Sequence, residues 1–132
     1  MTKVFIPNKS YHDFSEATRF GDLVYLTSGK ISILSIGRMY RTFMPIIQAS
    51  TKEDYILVSG PSVMTSILCS MFSIKHGVLN LLIYQIGGDN KGHYKQRRIS
   101  FEELTQDTPL TIPESSLDQI PYSRRGGFPF QS

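Results

Sequence analysis

Apolar residues in this chain fall into short continuous runs, separated by stretches in which they recur every three or four positions. Lys3-Val4-Phe5-Ile6-Pro7 is the first run, a strand that its proline should end. The second is Asp22-Leu23-Val24-Tyr25-Leu26-Thr27, closed by the turn pair Ser28-Gly29. The third, Asp54-Tyr55-Ile56-Leu57-Val58-Ser59, is bounded by turn formers and reads as a buried strand. Val78 to Tyr84 is the fourth, apolar on both faces except at Asn80.

The intervening stretches have helical spacing. Asp13 or Ser15 can cap a short helix running from Ala17 to Phe20, which Gly21 closes. Ile36, Met39, Tyr40, Phe43 and Ile47 then form one stripe of an amphipathic helix, with Arg38, Arg41 and Gln48 off it. Pro45 interrupts that pattern, so a kink or two helical pieces meeting at Met44–Pro45 are expected. Gly60-Pro61-Ser62 opens the next helix, with proline in its favoured first turn. Met64, Ile67, Leu68, Met71, Phe72 and Ile74 give that helix a broad apolar surface, which predicts that most of it is buried. Lys75-His76-Gly77 ends it, with cations at the negative end of the dipole and glycine for a left-handed cap.

Strands and helices that alternate in this way, with strands apolar throughout, predict parallel pairing through right-handed crossovers. Gly87-Gly88-Asp89-Asn90-Lys91-Gly92 is a hairpin loop, and His93 to Phe101 should return antiparallel as an edge strand. The expected fold is a small Rossmann-like three-layer α/β domain over residues 1–101. Its sheet would be mostly parallel, of about four strands, with an antiparallel edge hairpin strand added. From Glu102 the pattern lapses and four of the seven prolines gather. Residues 102–132 therefore read as a polar, extended C-terminal arm.

Composition narrows the picture in three ways. A chain of 132 residues supports one core, and no run nears the ~18 apolar residues of a membrane span. The start, Met-Thr-Lys-Val-Phe-Ile-Pro, holds no apolar signal region, so no export signal is expected. Cys69 has no partner for an internal disulfide and falls in an apolar helix pattern, as a core thiol would. Charge is divided unevenly: residues 1–101 carry twelve Lys/Arg against six Asp/Glu, and residues 102–132 carry two against five. A body at +6 and an arm at −3 suit an acidic partner, contact between arm and body, or simply a solvated surface.

Ligands of open α/β sheets bind beyond the carboxyl ends of parallel strands. Two loops qualify. In the first, residues 8–13, His12 beside Asp13 offers an acid/base group with a carboxylate, and Asn8 and Ser10 offer polar contacts. The second holds Ser59, Gly60 and Ser62 at a helix N-terminus, where free N–H groups favour an anion such as the phosphate of a nucleotide. The same residues also serve as plain helix caps, and no standard nucleotide or hydrolase fingerprint is present. Nor do the three histidines and single cysteine have metal-ligand spacing, so neither a metal nor a cofactor is expected.

Two further patches invite a macromolecule. Lys91, Lys95, Arg97 and Arg98, interleaved with Tyr94 and Phe101, match a nucleic-acid grip; they equally match charges that protect an edge strand. Phe128-Pro129-Phe130, after Arg124-Arg125-Gly126-Gly127, fits as an apolar anchor for a protein groove.

The stretch Pro7-Asn8-Lys9-Ser10-Tyr11-His12-Asp13-Phe14-Ser15-Glu16-Ala17, running on to Phe20-Gly21, resembles a segment of small proteins of tailed bacteriophages. Asp54-Tyr55-Ile56-Leu57-Val58 and His76-Gly77-Val78-Leu79-Asn80-Leu81-Leu82 extend that resemblance over the first hundred residues or so. It implies a viral protein acting in the host cytoplasm or the virion, and assigns no catalytic residue. The leading expectation is a non-enzymatic interaction or assembly protein, joining an oligomer or larger complex partly through its arm. A nucleotide- or phosphate-binding domain using loops 8–13 and 59–62 is the alternative, and nucleic-acid binding through the basic hairpin a second.

Overall fold

The computed structural model of the protein describes residues 1–106. Five strands form one sheet in the order β2-β1-β3-β4-β5: β1 (Lys3–Lys9), β2 (Asp22–Ser28), β3 (Tyr55–Leu57), β4 (Val78–Ile86) and β5 (Gly92–Ser100). The first four run parallel, and β5 returns antiparallel along the full length of β4, with Val78 opposite Ser100 and Ile86 opposite Gly92. The α/β fold class expected from the pattern is thus present, with four parallel strands and one antiparallel edge strand.

Alternation along the strands splits the core in two. Phe5, Ile56 and Leu79 face helices α1 (Ile36–Gln48) and α2 (Ser62–His76), against Met39, Phe43, Ile47, Met64, Leu68 and Phe72. Val4, Ile6, Leu57 and Leu82 face the other way, where a short 3-10 helix (Ser15–Arg19) lays Ala17 over them beside Phe14 and Tyr94. The layer on that side is thin. It is held by charge as well as packing: Tyr94 donates its N–H to Glu16 Oε1 at 2.6 Å, and Arg19 Nη2 donates to Tyr94 O at 2.7 Å.

Several local expectations change. β1 does not stop at Pro7 but passes through it to Lys9. The β1–β3 ladder covers only Val4 and Phe5, so the N–H that proline lacks falls beyond it. α1 is one continuous helix and not two pieces, with Pro45 in its last turn, where a lost hydrogen bond disturbs least. β3 is three residues long, much shorter than its apolar run, because its β1 and β4 ladders involve only Tyr55, Ile56 and Leu57. α2 ends at the expected glycine, Gly77, with φ +71°. Its broad apolar surface, however, exceeds what the sheet covers: Met64, Leu68 and Phe72 are buried, whereas Ile74 is 85% exposed. Cys69, expected in the core, is half-buried on the same helix, and burial raises its thiol pKa.

The buried polar side chains of Asn80 and Asp54 are paired. Asn80, the one polar residue noted in its strand, is 1% exposed. Its amide donates to Lys52 O and Asp54 O, and its Oδ1 accepts from Arg98 Nη1 at 2.9 Å. Buried Asp54 accepts from the N–H groups of Lys3 and Thr51, which ties β1 to the start of β3.

Candidate functional site

The strand order places a crevice at one point. From β1 the chain crosses to β2 on one side, then from β2 it passes over β1 to β3 on the other. The loops after β1 and β3 therefore leave in opposite directions, which opens a gap at the carboxyl ends of those strands. A cavity of 430 Å³ lies there, and it brings together His12, Asp13, Ser59 and Gly60, four of the residues expected from the two loops. Phe14, Val58, Tyr84 and Tyr94 complete its walls.

Each of these side chains has a local reason for its position. Asp13 Oδ1 accepts from the Ser15 N–H at 2.9 Å and so starts the 3-10 turn; hydrogen bonds from Ser15 hold its carboxyl below the ordinary aspartate range. His12 is exposed, its N–H on Ser10 Oγ at 3.3 Å and its ring 6.1 Å from that of Phe14. Among the described residues no hydrogen bond joins the His12 ring to a carboxylate. Gly60 adopts φ +75°, which turns the chain from β3 into α2. Ser59 O accepts from Thr65 Oγ1 at 2.8 Å, while Ser59 Oγ is buried without a hydrogen-bond partner.

The other expected residues lie elsewhere. Asn8 and Ser10 line a neighbouring cavity of 670 Å³ with Lys9, Tyr11, Gly29 and Lys30, between the ends of β1 and β2. There Asn8 bridges the strands, donating to Gly29 O and accepting from Thr27 Oγ1. Ser62 is the exposed first residue of α2, with no side-chain cap at that helix end. The basic cluster is divided by strand alternation. Lys95 and Arg97 border a shallow hollow with Ile83, Tyr84 and Gln85. Arg98, on the other face of β5, is turned onto Asn80, and Lys91 sits in the turn with its N–H on Asp89. Phe128, Pro129 and Phe130 lie outside the described residues.

Tyr84 and Tyr94 were not anticipated at the site. They are opposite one another in the β4–β5 ladder, with rings 5.1 Å apart edge to face, and Gly92 packs so closely on Tyr84 that a Cβ there would overlap the ring. A glycine next to a hairpin turn was the only available signal. Among the described residues no three His, Cys, Asp or Glu side chains gather as a metal site, and no helix is long and apolar enough to cross a membrane.

A second surface is set apart from this crevice. Between the outer sides of α1 and α2, Tyr40, Ile67, Met71 and Ile74 line an apolar groove of 330 Å³, edged by Ser66 and Ser70. Tyr40 is 48% exposed.

No curated protein and no solved structure matches the chain. A family model does, that of the Phage Pam3 gp32-like protein, over residues 2–100. The match ends on Ser100, the last residue of β5, so it takes in the whole sheet and both helices. The chain belongs to the Phage Pam3 gp32-like protein family.

Proposed function

We propose that this phage-family protein is a non-enzymatic interaction protein that joins an oligomer or a larger complex partly through its C-terminal arm. The observation that carries this reading is the apolar groove on the outer side of α1 and α2, where Ile74 stands 85% exposed; residues 1–106 do not cover it, which supports a docking role for the arm. A helix spends such side chains on its surface at a cost in solubility unless something covers them. In the arm, Phe128-Pro129-Phe130 supplies rigid apolar side chains of the kind that anchor in a partner's groove. The test is sedimentation of the chain, of 15.0 kDa, alone and with particles of its phage. The full chain should run as a larger species in one of the two, and Phe128→Ala with Phe130→Ala should reduce it. A full chain that runs as a monomer in both overturns the reading.

A second reading rests on the crevice. His12, Asp13, Ser59 and Gly60 meet at the strand-order switch beside Tyr84 and Tyr94, and the tyrosine rings offer a face on which a nucleotide base can stack. A thermal-shift screen against nucleotides should then find a stabilising compound whose effect is lost in Tyr84→Ala. Silence across the screen removes this reading.

A further inference from the structure

The uncovered groove and the C-terminal arm have matching chemistry. Lys75 follows Ile74 at the groove's end, its Nζ donating to Gln48 O, and neither α1 nor α2 carries an acidic residue, while Arg38 lines a separate hollow beside Thr27 and Lys30. Residues 107–123 contain Asp107, Glu114 and Asp118 and no Lys or Arg. The same segment carries Leu110, Ile112, Leu117 and Ile120, apolar side chains of a size that suits a groove walled by Ile67, Met71 and Ile74. The last nine residues reverse the sign, with Arg124 and Arg125 and no acid.

Position agrees with chemistry. Phe101 packs against the core on the α1/α2 side and donates its N–H to Gly77 O at 2.9 Å, directly after the end of α2. The described chain thus finishes at the end of the molecule where Ile74 and Lys75 lie. From there 17 residues reach at most ~61 Å when extended, and the groove runs along a helix only ~22 Å long. A tether this short keeps the segment at an effective concentration near millimolar over its own helices, far above that of any neighbouring copy.

We infer that residues 107–123 fold back onto the α1/α2 groove of their own chain, leaving the basic, phenylalanine-bearing end of the arm free to meet a partner. This rests on the reading of the arm as a docking element and divides it into a half that binds the body and a half that binds outward.

Site-specific photocrosslinking tests it in the full chain. Ile74→p-benzoylphenylalanine places the reactive group on a side chain that is already exposed, so folding is undisturbed. Trypsin cuts after Arg98 and Arg124 and would release the acidic segment as a single peptide, which mass spectrometry can identify. The expected product joins position 74 to residues 107–123. In a mixture of isotope-labelled and unlabelled protein, it should contain only like-labelled pairs. Its yield should fall several-fold between about 0.05 and about 0.5 M salt, and in the triple variant Asp107→Asn, Glu114→Gln, Asp118→Asn, which adds no trypsin site. Absence of that product, or pairs of mixed label, overturns the fold-back. The sedimentation result for Phe128→Ala with Phe130→Ala is independent of it, so either idea can fail alone.

Discussion

Asn80 shows how one polar side chain can hold three parts of a fold. It joins the loop before β3, the strand β4 and Arg98 of β5, and it does so with no water-facing alternative. Asn80→Ala leaves the buried Asp54 carbonyl and the partly buried Lys52 carbonyl without their donor and should cost about 2–3 kcal/mol in denaturant unfolding. His76 acts through pH. Burial and the adjacent Lys75 lower its pKa, outweighing Asp54 and Glu53, and its Nε2 lies 2.8 Å from Ser50 Oγ. A histidine depressed in the folded state contributes stability that is complete above its unfolded value of about 6.5 and is lost as pH falls through the folded value. Between pH 7.5 and 5.5 the wild-type melting temperature should therefore drop by more than that of His76→Gln; equal drops would show that His76 is not the cause. Gly21 is required for space, since a Cβ there would run into the carbonyl of Thr2, whose oxygen also accepts from the Asp22 N–H.

At the level of elements, α2 carries the sharpest contrast. Phe72 is fully buried and Ile74, two residues on, is not. Phe72→Ala should cost about 3–5 kcal/mol, and Ile74→Ala, whose side chain the other described residues leave uncovered, far less, both read from equilibrium unfolding. The helix and its glycine cap were legible because periodicity and the left-handed stop act locally. Which apolar residues stay uncovered was not, because that depends on how far α1 and the sheet extend past them. The shortness of β3 was hidden for a related reason: an apolar run shows that a segment is buried, not how many of its backbone groups find a ladder. The candidate crevice was half legible. His12, Asp13, Ser59 and Gly60 announce themselves as polar or turn residues after strands, but Tyr84 and Tyr94 enter only through the register of an antiparallel pair.

For the molecule as a whole, one sheet is shared by two cores. Phe5 belongs to the core under α1 and α2, and Leu57 to that under the 3-10 helix. Both cores pack on the same five strands, so Phe5→Ala and Leu57→Ala should each shift one common unfolding transition by about 2–5 kcal/mol. Two separated transitions in calorimetry would mean that the layers unfold independently. The strand order itself had no counterpart in the sequence pattern, since alternation of elements predicts parallel pairing but not the direction of each crossover.

The pair Glu16–Arg19, bonded to each other at 2.5 Å, takes up both the N–H and the C=O of Tyr94. In effect two side chains stand where the next strand of a growing sheet would have to dock. A second copy approaching that border finds the pairing positions at Tyr94, near the start of β5, already filled, which hinders simple continuation of the sheet there. A backbone ladder between copies at that border would first have to displace the Glu16 and Arg19 side chains from Tyr94.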